Sequence, residues 1–510
     1  MFRNGVSAFR PRLALPGILR QPPINPSEVT DEAGSQSRPV WKWLYAIAAA
    51  AFIIRLAVAL WSVRIGHPDE VFQYLEQAHR LVYGYGFRPW EYRFGARNWL
   101  LPGTLAALLE FLRLLHVDRP ALYIPALKLI FAALSICLVF ASYVIGRQLF
   151  SERTGRLAGI IAAIWYELVS ASIVATPEVL GAYAILCAFA IATTFPSRSR
   201  AAWAGLLLGA GVALRPQYAL PGFAVWAYLL LVWKSRYAPV VTIMGFVVPI
   251  LAGVLDAITW GTPFISYVNY FLFGSVFEIG GIFGNEPVLW YVTALSFASL
   301  GLYPIAMAHG VVNWRRSWPL LLVAAAVLIP HSLIPHKEYR FIFLAVPLLL
   351  LLMADAIATH LRRFQRVAIL WACVVSVFGF WQNGLLARDD RLLAAWDLSR
   401  RSDVSAVLDL TGRWWDSGGY SYMHKDVPLY FWNDLIPVSK ENFHLFASHL
   451  IVRGAEPAIP GFRTVSRHHD IAVLEQISPR KSYQALPGNT RDLIQPGVDD
   501  RFKPLVYRDF

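Results

Sequence analysis

Two neighbouring carboxylates stand in the stretch Gly66-His67-Pro68-Asp69-Glu70, immediately after an apolar run from Trp41 to Val63 that is long enough to cross a bilayer. Ionisable groups at a membrane face are costly and tend to mark a site. Pro68 suits the first position of a helix, which puts Asp69 and Glu70 in the first turn, where free N–H groups and the helix dipole favour negative charge. A carboxylate held ionised there can take a proton from a hydroxyl group. The same acids could also do no more than complement the dipole; their place at the membrane face favours chemistry.

Two further clusters could work with that acid. Glu178 lies in the short turn Ala175-Thr176-Pro177-Glu178, where solvation alone could account for it. The stretch Pro335-His336-Lys337-Glu338-Tyr339-Arg340-Phe341 gathers cations, an acid and aromatics at the start of an apolar segment. A helix start with Lys, Arg and His beside it is a good place for a phosphate. A belt of snorkelling cations and aromatic anchors is the other reading, but so dense a mixture of polar types is hard to explain as anchoring.

An ionised acid, a cationic patch and many aromatic surfaces on one face could bind a phosphorylated lipid head group and a sugar acceptor. If the donor is a sugar joined to a lipid phosphate, the phosphate leaves as a stable anion and needs charge stabilisation more than a general acid. The acceptor hydroxyl must lose its proton as it attacks the anomeric carbon, a task for one positioned carboxylate.

The elements that would position these groups are membrane spans. Hydrophobic residues make up 56% of the 510-residue chain and charged ones 15%, too lopsided for a soluble protein. Spans are expected at 41–63, 121–146, 157–174, 179–195, 202–214, 217–233, 238–258, 288–309, 318–334, 341–360 and 366–386, about eleven in all, in a mainly α polytopic fold. Alternate connections carry the basic residues: Arg147, Arg153 and Arg156; Arg198 and Arg200; Lys234 and Arg236; Arg315 and Arg316; Arg362, Arg363 and Arg366. These are assigned to the cytoplasm, and the loop 259–287, which has no Lys or Arg, faces outward. Arg215-Pro216 interrupts 202–233; two short spans there, with Arg215 outside, keep the basic loops on one side.

Residues 64–120 form a long outer region. Val71, Tyr74, Ala78 and Leu81 recur at helical spacing, as expected of a helix lying on the membrane surface, and 98–116, with Leu100, Leu101, Leu105, Leu108 and Leu112, reads as a second. The first 40 residues read as a disordered basic cytoplasmic tail, residues 41–386 as the transmembrane domain and 388–510 as a small soluble α/β domain outside the membrane. Much of the +13 formal charge falls on the cytoplasmic side, where anionic lipids would attract it, so nucleic acid is not needed to explain it. Cys137, Cys187 and Cys373 all lie in expected spans and exclude a disulfide framework or a cysteine-based zinc site.

The run His67-Pro68-Asp69-Glu70-Val71-Phe72-Gln73-Tyr74-Leu75-Glu76-Gln77-Ala78-His79-Arg80-Leu81-Val82-Tyr83-Gly84, continuing through Phe87-Arg88-Pro89-Trp90-Glu91-Tyr92 and Arg97, resembles the first luminal loop of the Alg9-like mannosyltransferases, GT-C enzymes of N-glycan and glycosylphosphatidylinositol assembly. His336-Lys337-Glu338-Tyr339-Arg340-Phe341 is similar to the family's later His-Lys-Glu signature, and Tyr422 to Phe431 resembles its His-x-Asp-Val-Pro-Leu-Tyr region. The resemblance implies inverting transfer of mannose from a polyprenyl-phosphate carrier to a glycolipid or glycan on the non-cytoplasmic face. It implies Asp69 as base with Glu70 as neighbour and alternate, His336, Lys337 and Arg340 on the donor phosphate with help from Arg215, and His67, Arg97, Glu178 and Glu338 as further substrate-binding residues. Some GT-C branches use a divalent metal, but no extra acid pair here demands one, and no cofactor is expected.

A lipid-linked glycan flippase or transporter would carry polar residues in paired broken helices at mid-membrane depth, and a non-catalytic membrane subunit would have little reason to gather acids and cations on one face. The expected setting is a bacterial inner membrane with the site facing the periplasm, or the endoplasmic reticulum with a luminal site if the chain is eukaryotic.

Overall fold

The computed structural model describes residues 40–233, 236–412, 414–432, 438–454, 459–486, 491–493 and 498. The amino-terminal tail, but for Val40, lies outside the described residues.

The architecture is mainly helical, and the apolar runs become helices. Lys42–Trp61, Pro120–Leu149, Ala238–Trp260, Trp314–Leu333 and Arg362–Gln382 are long and apolar enough to cross a membrane. Pro177–Ala192, Pro216–Val232 and Ala345–His360 are apolar but shorter. Small residues let helices approach closely: a Cβ added to Gly209 of the Arg198–Leu214 helix would lie 2.2 Å from the carbonyl oxygen of Gly245 in the Ala238–Trp260 helix.

Three expected spans are interrupted, among them 121–146, where the Pro120–Leu134 helix gives way at Ser135 and Ile136 to Cys137–Leu149. The stretch 288–309 is a pair of helices, Trp290–Ala298 and Leu302–Val312, bent by 111°, because Leu300 and Gly301 both take left-handed conformations (φ 49 and 86) that no continuous helix admits. In 157–174 the Glu152–Ile164 helix stops at Trp165, which is extended, and restarts as Tyr166–Ala171. The fully buried Arg55 guanidinium holds this break, donating to the carbonyls of Ala163 at 2.8 Å and Ala162 at 2.9 Å, which the helix end leaves without partners.

The long loop after the first helix contains the two helices its periodicity predicts. Glu70–Leu75 is wound as a π-helix and runs into an α-helix over Glu76–Tyr83, closed by left-handed Gly84. Leu100–Leu114 buries Leu101, Leu105, Leu109 and Leu112.

Beyond residue 388, the Asp390–Arg400 helix, capped by the Asp389 side chain, leads to a five-stranded sheet of order β2-β1-β3-β5-β4. β1 (Val407–Asp409) pairs in parallel with β2 (Leu429–Phe431) and β3 (His449–Arg453); β5 (Ile471–Gln476) pairs antiparallel with β3 and with β4 (Phe462–His468). One face is a core of Leu408, Tyr430, Leu450, Val452 and Leu474. The other joins the first loop: Val407, Ile451 and Val473 share a hydrophobic cluster with Val71, Phe72, Ala78 and Leu105.

Candidate active site

The helix that begins at Pro68 is built as its sequence predicts. Asp69 has helical torsions, and the Glu70 N–H bonds the His67 carbonyl at 3.0 Å, closing the first turn. The motif 336–341 enters the site as a 3₁₀ turn over Tyr339–Ile342, ahead of the Ala345–His360 helix. The two motifs, far apart in the chain, meet at one end of the helical bundle: Arg340 Nη2 lies 2.6 Å from Asp69 Oδ2.

A network spreads from that contact. Glu338 accepts from Arg340 Nε at 2.6 Å, His67 Nε2 lies 3.1 Å from it and His336 Nε2 3.0 Å from it. Burial works against ionisation of Glu338, but these three donors overcome it and hold its carboxyl far below the usual range. The same hydrogen bond raises the His336 imidazole against the pull of burial. His67 Nδ1 lies 3.6 Å from Asp69 Oδ1, so both carboxylate oxygens of Asp69 face cations or potential cations.

Glu178 opens the first turn of the Pro177–Ala192 helix, and Arg215 sits in the break between the Arg198–Leu214 helix and the turn Pro216–Tyr218. They form a buried ion pair of 2.7 Å, and Arg340 Nη1 approaches Glu178 at 3.9 Å. Phe341 packs under both guanidiniums, 4.9 Å from Arg215 and 5.4 Å from Arg340.

Not every expected residue faces this network. Glu70 turns away and accepts from the Gly66 N–H at 3.1 Å; burial raises its carboxyl. The Lys337 ammonium is spent on two backbone carbonyls, Glu286 at 2.9 Å and Ile334 at 2.5 Å. Of the four residues expected to hold a phosphate, Lys337, Arg340, Arg215 and His336 are therefore all already partnered.

Arg97 differs. Its guanidinium stacks 4.7 Å from the Tyr270 ring, and its buried Nε finds no hydrogen-bond partner among the described residues. It lines an open cleft with Tyr74, Ala96, Pro177, Pro216 and Tyr270. Arg215 Nε, Glu178 Oε2 and Gln217 Oε1 are also buried without hydrogen-bond partners among the described residues. Buried polar groups in native proteins are normally paired, so Arg97 brings an unused donor to the cleft near the Asp69 network.

Several residues that carry the site were not singled out beforehand. Glu76 accepts backbone N–H groups from Phe87 at 2.9 Å, Tyr420 at 3.1 Å and Ser421 at 2.8 Å, tying the first-loop helix to the segment Gly419–Met423. His79 Nε2 lies 3.0 Å from Nδ1 of His424, so the carboxyl-terminal motif docks on that same helix. Glu91 takes a hydrogen bond of 2.6 Å from Gln73, and burial, with the Asp69 charge nearby, raises its carboxyl to about 7. Glu167 and Arg55 lie within apolar stretches, and an ionisable residue in an apolar span was the signal that could have found them.

The profile of the Alg9-like mannosyltransferase family matches residues 46–387. Among curated relatives, GPI mannosyltransferase 3 of Yarrowia lipolytica is 28% identical over 408 residues, which are 76% of this chain and 77% of that protein. GPI alpha-1,2-mannosyltransferase 3 of Bos taurus is 24% identical over 380 residues, 71% of this chain; the chain spans 66% of the bovine protein, just under two thirds. The crystal structure of ArnT from Cupriavidus metallidurans bound to undecaprenyl phosphate superposes with a TM-score of 0.56 at 11% identity, over 85% of this chain and 98% of that one, a likeness of fold.

Proposed function

Because the chain belongs to the Alg9-like mannosyltransferase family, we propose that it transfers mannose from a polyprenyl-phosphate carrier to a hydroxyl group of a glycolipid or glycan, with inversion at the anomeric carbon, on the non-cytoplasmic face of a membrane. The observation that carries this reading is the meeting of Asp69 with Arg340, an acid and a cation brought together at one end of an apolar helical bundle beside an open cleft. On this reading the three shorter apolar helices, the bent pair, the broken helix Glu152–Ile164 with Tyr166–Ala171, and Arg198–Leu214 join the five long helices to make about eleven crossings, and the segments 64–120, 259–287 and 336–341 share the outer compartment with the sheet after residue 388. A chain of like architecture binds undecaprenyl phosphate, which supports a polyprenyl-phosphate donor here.

The acceptor oxygen attacks the anomeric carbon from the face opposite the phosphate; the new C–O bond forms as the bond to the phosphate oxygen breaks, and the polyprenyl phosphate leaves with that electron pair. Asp69 takes the hydroxyl proton, which strengthens the nucleophile as it attacks. Arg97 supports the leaving phosphate, since its guanidinium lines the cleft and its buried Nε has no hydrogen-bond partner among the described residues. Arg340 and His67 orient Asp69. His336 acts one step back, through Glu338, and Arg215 keeps Glu178 in place. No metal enters this mechanism.

The test is to incubate the purified full chain with radiolabelled polyprenyl-phosphate mannose and lipid extract, and to identify the labelled product. Asp69→Asn should lose turnover while retaining donor binding. Full turnover in that variant would remove Asp69 as the base, and a wild-type protein that translocates the donor without making a product would replace the transferase by a transporter.

A further inference from the structure

Behind the Asp69–Arg340 network lies a second, buried polar cluster that the mechanism has not used. Glu167 is only 8% exposed and sits just after the helix break at Trp165. Its Oε1 accepts from the Tyr339 hydroxyl at 2.5 Å; its Oε2 accepts from the Trp165 indole N–H at 2.7 Å and from the Tyr303 hydroxyl. The Trp165 N–H also reaches the Tyr303 oxygen at 2.7 Å. All three donors are neutral. A buried acid satisfied in this way costs more to keep than an apolar replacement of similar size would, so packing alone does not account for it.

What the carboxylate joins is informative. Tyr339 stands between Glu338 and Arg340 in the turn that enters the site. The side chains of Glu338 and Arg340 point to His67 and Asp69, while the phenol between them reaches back into the bundle to Glu167. Tyr303 lies in the first turn of the second helix of the bent pair, where its N–H donates to Ser299 Oγ at 2.9 Å, and Tyr166, next to Glu167, donates to the Ala298 carbonyl at 2.8 Å. Arg55 fixes the other side of the break through Ala162 and Ala163. Three separate elements thus converge on one carboxylate, and the turn bearing Arg340 is anchored to it by a single phenol.

We propose that Glu167 is a positioning residue for the transfer reaction: by gripping Tyr339, with Trp165 and Tyr303 fixing its second oxygen, it sets the turn that presents Arg340 and Glu338 to Asp69 and His67. The proposal rests on the transferase reading for its kinetic consequence, but its structural core is the Glu167–Tyr339 bond. Displacing a reacting constellation by about 1 Å costs on the order of 100-fold in rate, so weakening the anchor acts on turnover more than on donor binding.

Tyr339→Phe deletes one oxygen and keeps the ring; Glu167→Gln keeps the size and replaces one acceptor oxygen by a donor group. In the full chain in lipid nanodiscs, each should lower kcat for mannosyl transfer by about 10- to 100-fold with a change in donor KM of less than about threefold. The double variant should be no slower than the slower single one, because both act on the same hydrogen-bonded joint. Hydrogen exchange of the peptide 338–344 should accelerate in both single variants while that of 152–164 stays as in the wild type. Losses that multiply in the double variant, or unchanged exchange at 338–344, would overturn the positioning role. If the wild type makes no product from polyprenyl-phosphate mannose, the transferase reading fails on its own, and the exchange measurement still decides whether Glu167 holds the turn.

Discussion

Arg340 joins the acid at the start of the first-loop helix to the acid of the distal motif: its Nη2 lies 2.6 Å from Asp69 Oδ2 and its Nε 2.6 Å from Glu338 Oε2. A single guanidinium can satisfy both because its donors form a rigid fork, which an ammonium group does not reproduce. The pairing occupies one of the two Asp69 oxygens, and the other faces His67.

Arg340→Ala should therefore lower kcat by about 100-fold or more and also lower the unfolding midpoint, since two part-buried carboxylates lose their cation. Arg340→Lys should retain the fold and recover only part of the rate. Initial rates and thermal unfolding on the same preparations check both.

Arg97 should act on the donor. Arg97→Ala should weaken binding of polyprenyl phosphate by about 2 kcal/mol, roughly 30-fold, the scale of a hydrogen-bonded charge, and Arg97→Lys by less. Titration with a fluorescent short-chain polyprenyl phosphate measures this without turnover. Equal binding by all three proteins would move the phosphate elsewhere in the cleft.

Glu76 should be a matter of stability. Glu76→Gln leaves one acceptor oxygen where three buried backbone N–H groups were served, at about 1–3 kcal/mol for each group orphaned. Gly419→Ala strikes the same joint from the other side: Gly419 has φ +57, and an added Cβ would lie 2.9 Å from Glu76 Oε2. Both should unfold at lower temperature than the wild type, and limited proteolysis should cut near residue 419 earlier.

Two buried groups give the stability a pH dependence of opposite sign. Glu91 has its folded pKa raised from 4.5 to about 7 by burial and the Asp69 charge, so its contribution is full below about 4.5 and is lost as pH rises through 7, by about 3 kcal/mol at most. His79 is lowered from 6.5 to about 3 by burial and by His424, so its contribution is full above 6.5 and is lost as pH falls towards 3. Between about 4.5 and 6.5 the two slopes oppose each other. Unfolding midpoints measured from pH 4 to 8 should fall less steeply with rising pH in Glu91→Gln than in the wild type, and less steeply with falling pH in His79→Gln.

Much of the helical framework was legible because apolar runs of bilayer length have few alternatives to helix, and the stretches read as spans are largely helical. Pro68 and the acid pair placed the start of the first-loop helix by simple end effects. Asp69, Arg340, His67, Glu338, Glu178 and Arg215 do converge, but their pairing was not legible: a motif names a residue's type and place, while its partner is set by how spans pack. Lys337 and Arg340 stand three positions apart in one motif, yet one is held by carbonyls and the other by acids. The break at Trp165 was hidden for a similar reason, since no Pro or Gly marks it and Arg55, more than a hundred positions earlier, makes it possible.

The Glu76 joint sets a rule for any chimaera built from this chain and a relative. The family match ends at residue 387, but the amides that receive this acid lie at 420 and 421. Splicing where the family match ends would mate an incoming tail with a foreign first loop, and the exchange succeeds only when both pieces of that lock travel together.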